Sequence, residues 1–127
     1  MGRKDYLIDT NVAIYYFGLA LPKESEQFID QLLGEKYAIS VINRIELLGF
    51  KKLGDKETEA LNSFISNSNI VELEEDIIIE TINIRKTYNI KLPDAIIAAT
   101  CLVNNYSLVT YNVKDFDKIT GLHFIKV

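Results

Sequence analysis

Five short apolar runs alternate with segments of helical spacing, and this alternation constrains the fold more than any other property of the chain. The runs are Tyr6–Asp9, Tyr37–Val41, Ile70–Leu73, Ser107–Thr110 and Leu122–Val127, rich in branched and aromatic residues that suit strands. Between them, apolar spacing predicts helices from Thr10 or Asn11 to about Gly18, over Lys23–Leu33, Val41–Phe50 and Asp55–Ser66, from Glu74 to about Tyr88, and from Lys91 to Asn104. Strands joined through helices form βαβ units, so the chain reads as α/β. A mostly parallel sheet would carry helices on both faces.

Local signals set the boundaries. Thr10 or Asn11 is placed to cap the first helix and Asp55 to cap the fourth. Leu21-Pro22 breaks the chain, Gly34 ends a helix, and Asn67-Ser68-Asn69 reads as a turn. The acids Glu74-Glu75-Asp76 suit the positive end of a helix dipole, and Pro93 suits a first turn. Ala95–Asn104 is apolar on most sides, as a buried helix would be. Tyr15, Tyr16 and Phe17 read as core or subunit contacts rather than base-stacking residues.

The length of 127 residues suits one domain spanning 1–127. No apolar run reaches the roughly 20 residues of a membrane span. The start, Met1-Gly2-Arg3-Lys4-Asp5, leads into no apolar segment of secretion-signal length, so a cytoplasmic location is expected. The single cysteine, Cys101, cannot form an intramolecular disulfide and reads as a small buried thiol. The single His123 has no partner motif for a triad or a zinc site. A net charge of −4 argues against a broad basic nucleic-acid surface, while leaving room for a basic rim around an acidic cleft.

Acids recur at strand ends and helix starts. Asp9 closes the first strand, Glu46 lies about one helical turn past the second, Asp94 sits in a first helical turn, and Asp115 follows the fourth strand. In a doubly wound sheet these positions face one edge, where ligands bind. Carboxylates sharing a cleft repel, and hard divalent cations with oxygen preference relieve this. Metal-assisted hydrolysis of a phosphodiester follows, needing no nucleophilic side chain. Taken singly, each acid has another reading, as a helix cap or a partner of a helix dipole.

Four segments give the pattern more shape: Leu7-Ile8-Asp9-Thr10-Asn11-Val12; Ser40-Val41-Ile42-Asn43-Arg44-Ile45-Glu46-Leu47-Leu48-Gly49; Pro93-Asp94-Ala95-Ile96-Ile97-Ala98-Ala99-Thr100; and Leu108-Val109-Thr110-Tyr111-Asn112-Val113-Lys114-Asp115-Phe116. In this order they resemble the PIN-domain family, in particular its VapC-type toxin ribonucleases from toxin–antitoxin pairs. The resemblance implies a three-layer α/β/α sandwich around a five-stranded parallel sheet of order 3-2-1-4-5. It implies a Mg²⁺ or Mn²⁺ site held by Asp9, Glu46, Asp94 and an acid of the last segment. Many relatives carry Asp where Asn112 stands, so that acid is expected to be Asp115, and the number of metals is left open. Thr110, Asn11 and Asn112 are expected to orient the carboxylates through hydrogen bonds. A common relative has Arg at the place of Tyr111, which removes one expected phosphate contact. A small VapB-like antitoxin, an RNA substrate and a homodimer are the expected partners.

Arg44, Lys51, Lys52, Arg85 and Lys114 are candidates for RNA phosphates, with an ordinary solvated surface as the alternative for each. Arg85 is also placed to pair with a site carboxylate. Asp117 reads as a solvated turn residue. Two competing functions remain. A phosphotransfer site built on Asp9 wants a second acid two residues on, where Asn11 stands. A non-catalytic RNA-binding or protein-interaction module would keep the fold without the chemistry, and the neutral Asn112 favours it.

Overall fold

The computed structural model describes residues 5–127. The charged start Met1–Lys4, which entered the expectation of no secretion signal, lies outside the described residues. The chain runs β1 (Asp5–Ile8), α1 (Thr10–Phe17), α2 (Lys23–Leu33), β2 (Ala38–Ser40), α3 (Val41–Leu48), α4 (Asp55–Asn67), β3 (Asn69–Val71), α5 (Glu75–Thr87), α6 (Leu92–Asn104), β4 (Tyr106–Thr110), a 3-10 turn (Val113–Asp115) and β5 (Phe124–Lys126). The strands form one parallel sheet of order β3-β2-β1-β4-β5.

Strand alternation splits the core across the sheet. Leu7 and Leu108 face a cluster built with Ile77 and Ile84 of α5 and Ala95, Ala98, Ala99 and Cys101 of α6. Ile8, Ile39 and Val109 face the other cluster, with Val12 of α1, Ile29 and Leu32 of α2, Leu47 of α3, and Leu61 and Phe64 of α4. This is the expected three-layer sandwich. The central strands β1 and β4 pair through Asp5↔Tyr106, Tyr6↔Ser107, Leu7↔Leu108 and Ile8↔Val109. Every side chain of α6 from Ala95 to Cys101 is buried, which explains its lack of a polar face.

Several local expectations need correction. The first helix is capped by Asp9, not by Thr10 or Asn11, because the Asp9 carboxylate accepts from the Thr10 N–H. The fourth helix starts from Gly54, and Asp55 is its first helical residue, making no cap bond. Glu57 takes the space beside that glycine: a Cβ on Gly54 would fall 2.7 Å from Glu57 Oε2. Strand three begins at Asn69 and ends at Val71 because its partner runs only from Ala38 to Ser40. Strand five shortens to Phe124–Lys126, although the His123 carbonyl still accepts from Leu108 N–H at 2.9 Å. Cys101 is buried, and its thiol is pushed up by that burial and by the nearby Asp9 charge, as an inert core thiol should be. Among the described residues no helix is long and apolar enough to cross a membrane.

Candidate active site

The carboxyl end of β1, the turn after β4, the starts of α1 and α6 and the later half of α3 meet around one cavity of about 250 Å³. Asp9, Glu46, Asp94 and Asp115 all line it, together with Asn11 and Asn112. The fold thus brings all the acids expected from the sequence to one place.

Asp9 is the most deeply held. It is only 7% exposed, and its oxygens accept from Thr10 N–H at 2.9 Å and from the Thr110 hydroxyl at 3.1 Å. Thr110 Oγ1 in turn accepts from Asn112 N–H at 3.1 Å, so the turn after β4 is tied to the strand β1 acid. Burial pushes the Asp9 carboxyl up to about 6, against the two hydrogen bonds, and the charges of Asp94 and Glu46 push the same way. Asp94 is the third residue of α6, whose amino end has no side-chain cap. An acid serving only the helix dipole would be lowered. Asp94 is instead raised, first by burial and then by Asp115 and Glu46, with Lys91 opposing.

Glu46 is set by a network the sequence reading missed. Ser40 caps α3 and completes a capping box in which Asn43 Oδ1 accepts from Ser40 N–H at 2.8 Å. The same Asn43, fully buried, donates through Nδ2 to Thr10 Oγ1 at 2.9 Å. The Thr10 hydroxyl then donates to Glu46 Oε1 at 2.6 Å. Ser40 stands directly before an apolar helix and Asn43 three residues on, and that spacing was the available signal. Asp115 rides on the 3-10 turn, anchored by the next residue, Phe116, which is 1% exposed and inserts into the α5/α6 side of the core.

Of the expected orienting residues, Thr110 holds a carboxylate directly. Asn112 contributes its backbone N–H, and Asn11 lines the cavity, making no side-chain hydrogen bond among the described residues. Arg44, Lys51, Lys52 and Lys114 are exposed and line neither this cavity nor the groove next to it. Arg85 makes no ion pair with a site acid; its Nη1 donates to the Ile90 carbonyl at 2.7 Å. It lines the adjoining groove with Lys91 and Lys118, two residues the sequence reading left aside. Tyr15 packs edge-on against Tyr111 at 5.0 Å, and Phe17 packs against Phe64 in the core.

The donor set is all oxygen, as hard divalent cations prefer. Among the described residues no three acids already stand close enough to chelate one ion, and Asp9 and Glu46 each accept a hydrogen bond from a threonine hydroxyl. The fit is to a partly hydrated ion. Raised carboxylates that repel one another are the electrostatic deficit such an ion would offset.

An α/β sheet with four acids at its carboxyl edge defines the class, and sequence comparison agrees: the chain matches the PIN domain over residues 6–122 and belongs to that family. It is 33% identical over 119 residues to ribonuclease VapC1 of Methanocaldococcus jannaschii, covering 89% of this chain and 79% of that protein. It superimposes on a chain of a toxin–antitoxin complex from Klebsiella pneumoniae with a TM-score of 0.78 and 32% identity, over 97% of this chain and 100% of that one. A chain of the promoter-DNA-bound VapBC2 complex from Rickettsia felis shares the fold, with a TM-score of 0.80 and 24% identity over 96% and 98% of the two chains.

Proposed function

We propose that this chain is a divalent-metal-dependent endoribonuclease and the toxin of a toxin–antitoxin pair. The observation that carries the reading is the convergence of Asp9, Glu46, Asp94 and Asp115 on one cavity. The chain's similarity to a ribonuclease and to a chain of a toxin–antitoxin complex supports RNA as the substrate class and an antitoxin as the partner.

Asp9 and Asp94 would hold a Mg²⁺ or Mn²⁺ ion directly, with Glu46 and Asp115 as further acidic partners of the ion or of its water. When bound, the ion supplies water activation and charge compensation for phosphodiester hydrolysis. The chain's own part is positioning. Thr110 and the Thr10 N–H fix the Asp9 oxygens, and the Asn43–Thr10 pair fixes Glu46. Phe116 holds the turn that presents Asp115. A small antitoxin fills or covers this cleft to silence it. The location that goes with this role is the cytoplasm.

The test is cleavage of a single-stranded RNA with Mg²⁺ or Mn²⁺. We expect Asp9→Asn and Asp94→Asn to lower the rate by about 10²–10³-fold with an unchanged circular-dichroism spectrum, the scale of losing one preorganised electrostatic group. Undiminished cutting by both variants would refute the reading. A neutral Asn112 at the cavity favours a second reading, a binding module that keeps the fold without the chemistry. Calorimetry showing that neither ion binds would select it.

A further inference from the structure

Beside the acidic cavity lies a second depression, of about 350 Å³, within the range of real ligand sites. Asp94 and Asp115 line both and form the divide between them. Beyond the divide the walls change sign: Arg85, Lys91 and Lys118 line the groove. In a chain of net charge −4, three cations in one groove run against the overall balance. The heads of two are pinned. Arg85 Nη1 donates to the Ile90 carbonyl and Lys118 Nζ to the Asn89 carbonyl, each at 2.7 Å. These bonds use one donor each out of the five of a guanidinium and the three of an ammonium. The only ion pair among the described residues joins Lys36 to Asp5, so none of the three cations is neutralised by direct pairing. The amino end of α6, uncapped by any side chain, opens beside them and adds its partial positive charge.

We propose that this groove is the subsite for the RNA backbone on one side of the cut, holding a phosphate that neighbours the scissile one. This rests on the ribonuclease reading. A strand crossing the Asp94–Asp115 divide places one phosphate among the cations and the next over the acids. The RNA therefore approaches along the α5–α6 side. It does not run over the α3–α4 turn that carries Lys51 and Lys52, which line neither depression.

The experiment measures binding of a fluorescein-labelled single-stranded RNA in Mg²⁺ buffer by anisotropy, in an Asp9→Asn background that stops cutting. Lys91→Gln/Lys118→Gln is expected to weaken binding about tenfold and to reduce the slope of log K against log salt by about 1.4, the share of two phosphate-contacting cations on a single strand. Lys91→Gln alone, which touches no hydrogen bond, should reduce the slope by about 0.7. Lys51→Gln/Lys52→Gln should stay within about twofold of the parent, with its slope unchanged. In the cutting-competent chain the groove variants should raise KM by a larger factor than they lower kcat.

Unchanged affinity and slope in the groove variants, or an equal loss in the Lys51/Lys52 pair, would overturn the proposal while cleavage by the parent still upheld the ribonuclease reading. Groove-dependent binding by a parent that never cuts would leave the groove as an RNA-binding surface but overturn its place beside a scissile phosphate, together with the catalytic reading. A parent that neither binds nor cuts RNA would overturn both.

Discussion

Asp9 shows what one residue contributes to stability and to function. Its carboxyl is pushed from the ordinary 3.8 to about 6, chiefly by burial. The folded chain therefore holds this proton more tightly than the unfolded chain. The associated stability is full below pH 3.8 and is lost as pH rises through about 6, a loss on the order of 3 kcal/mol at 1.36 kcal/mol per unit. Without divalent ions, Asp9→Asn should melt above the parent at pH 8, with the gap closing as pH falls toward 4. Thermal melts in a chelator at the two pH values check this, and a gap independent of pH would contradict it. Mg²⁺ should raise the parent's melting temperature and leave that of Asp9→Asn nearly unmoved, by simple linkage. The acid most legible in the sequence is thus a destabilising residue kept for its site. Its burial and its bond to Thr110, 101 positions away, were not legible, because they depend on which strand becomes the neighbour of β1.

At the scale of elements, the acids are only as well placed as the turns that carry them. The box at the start of α3 does two tasks with one side chain: Asn43 satisfies Ser40 N–H and fixes Thr10 under Glu46. Asn43→Ala would leave a buried amide and a buried hydroxyl short of a partner, at a cost of roughly 1–3 kcal/mol in chemical denaturation. Phe116→Ala should cost about 3–5 kcal/mol, because a fully buried ring leaves a cavity. The same change should loosen Asp115 and weaken metal affinity in calorimetry. Gly121 stands at φ +84, so Gly121→Ala should lose about 1 kcal/mol or more through backbone strain alone. The sequence showed that helices begin near Asp9, Val41 and Leu92. It missed the caps because Asp9 and Gly54 compete with neighbours of similar capping preference, and tertiary contacts decide among them.

At the scale of the whole molecule, the sheet order places β1 in the middle with β4 as an interior neighbour, and helices cover both on two faces. Leu108→Ala, in the interior strand β4, should cost about 2–5 kcal/mol. Apolar residues also remain at the surface: Ile45 and Leu48 on α3, Ile79 and Ile82 on α5, and Leu19 after α1. They accord with the expected homodimer and antitoxin contacts. Light scattering should give twice the 14.5 kDa chain mass for the isolated protein, and a mass of one chain at all concentrations would count against the dimer.

The sequence by itself determined the alternation of strands and helices, the parallel sheet and the identity of the acids. These follow from period, propensity and chain order, which are local properties. Tertiary structure alone decided which side chains hold the acids and where the cations stand. Thr10, Asn43 and Glu46 come together because the carboxyl ends of β1 and β2 lie side by side. Arg85, Lys91 and Lys118 meet beside Asp94 because α5, the start of α6 and the loop before β5 pack on one face. No spacing along the chain encodes such a meeting, since each involves residues whose distance is set by the packing of the sheet and its helices.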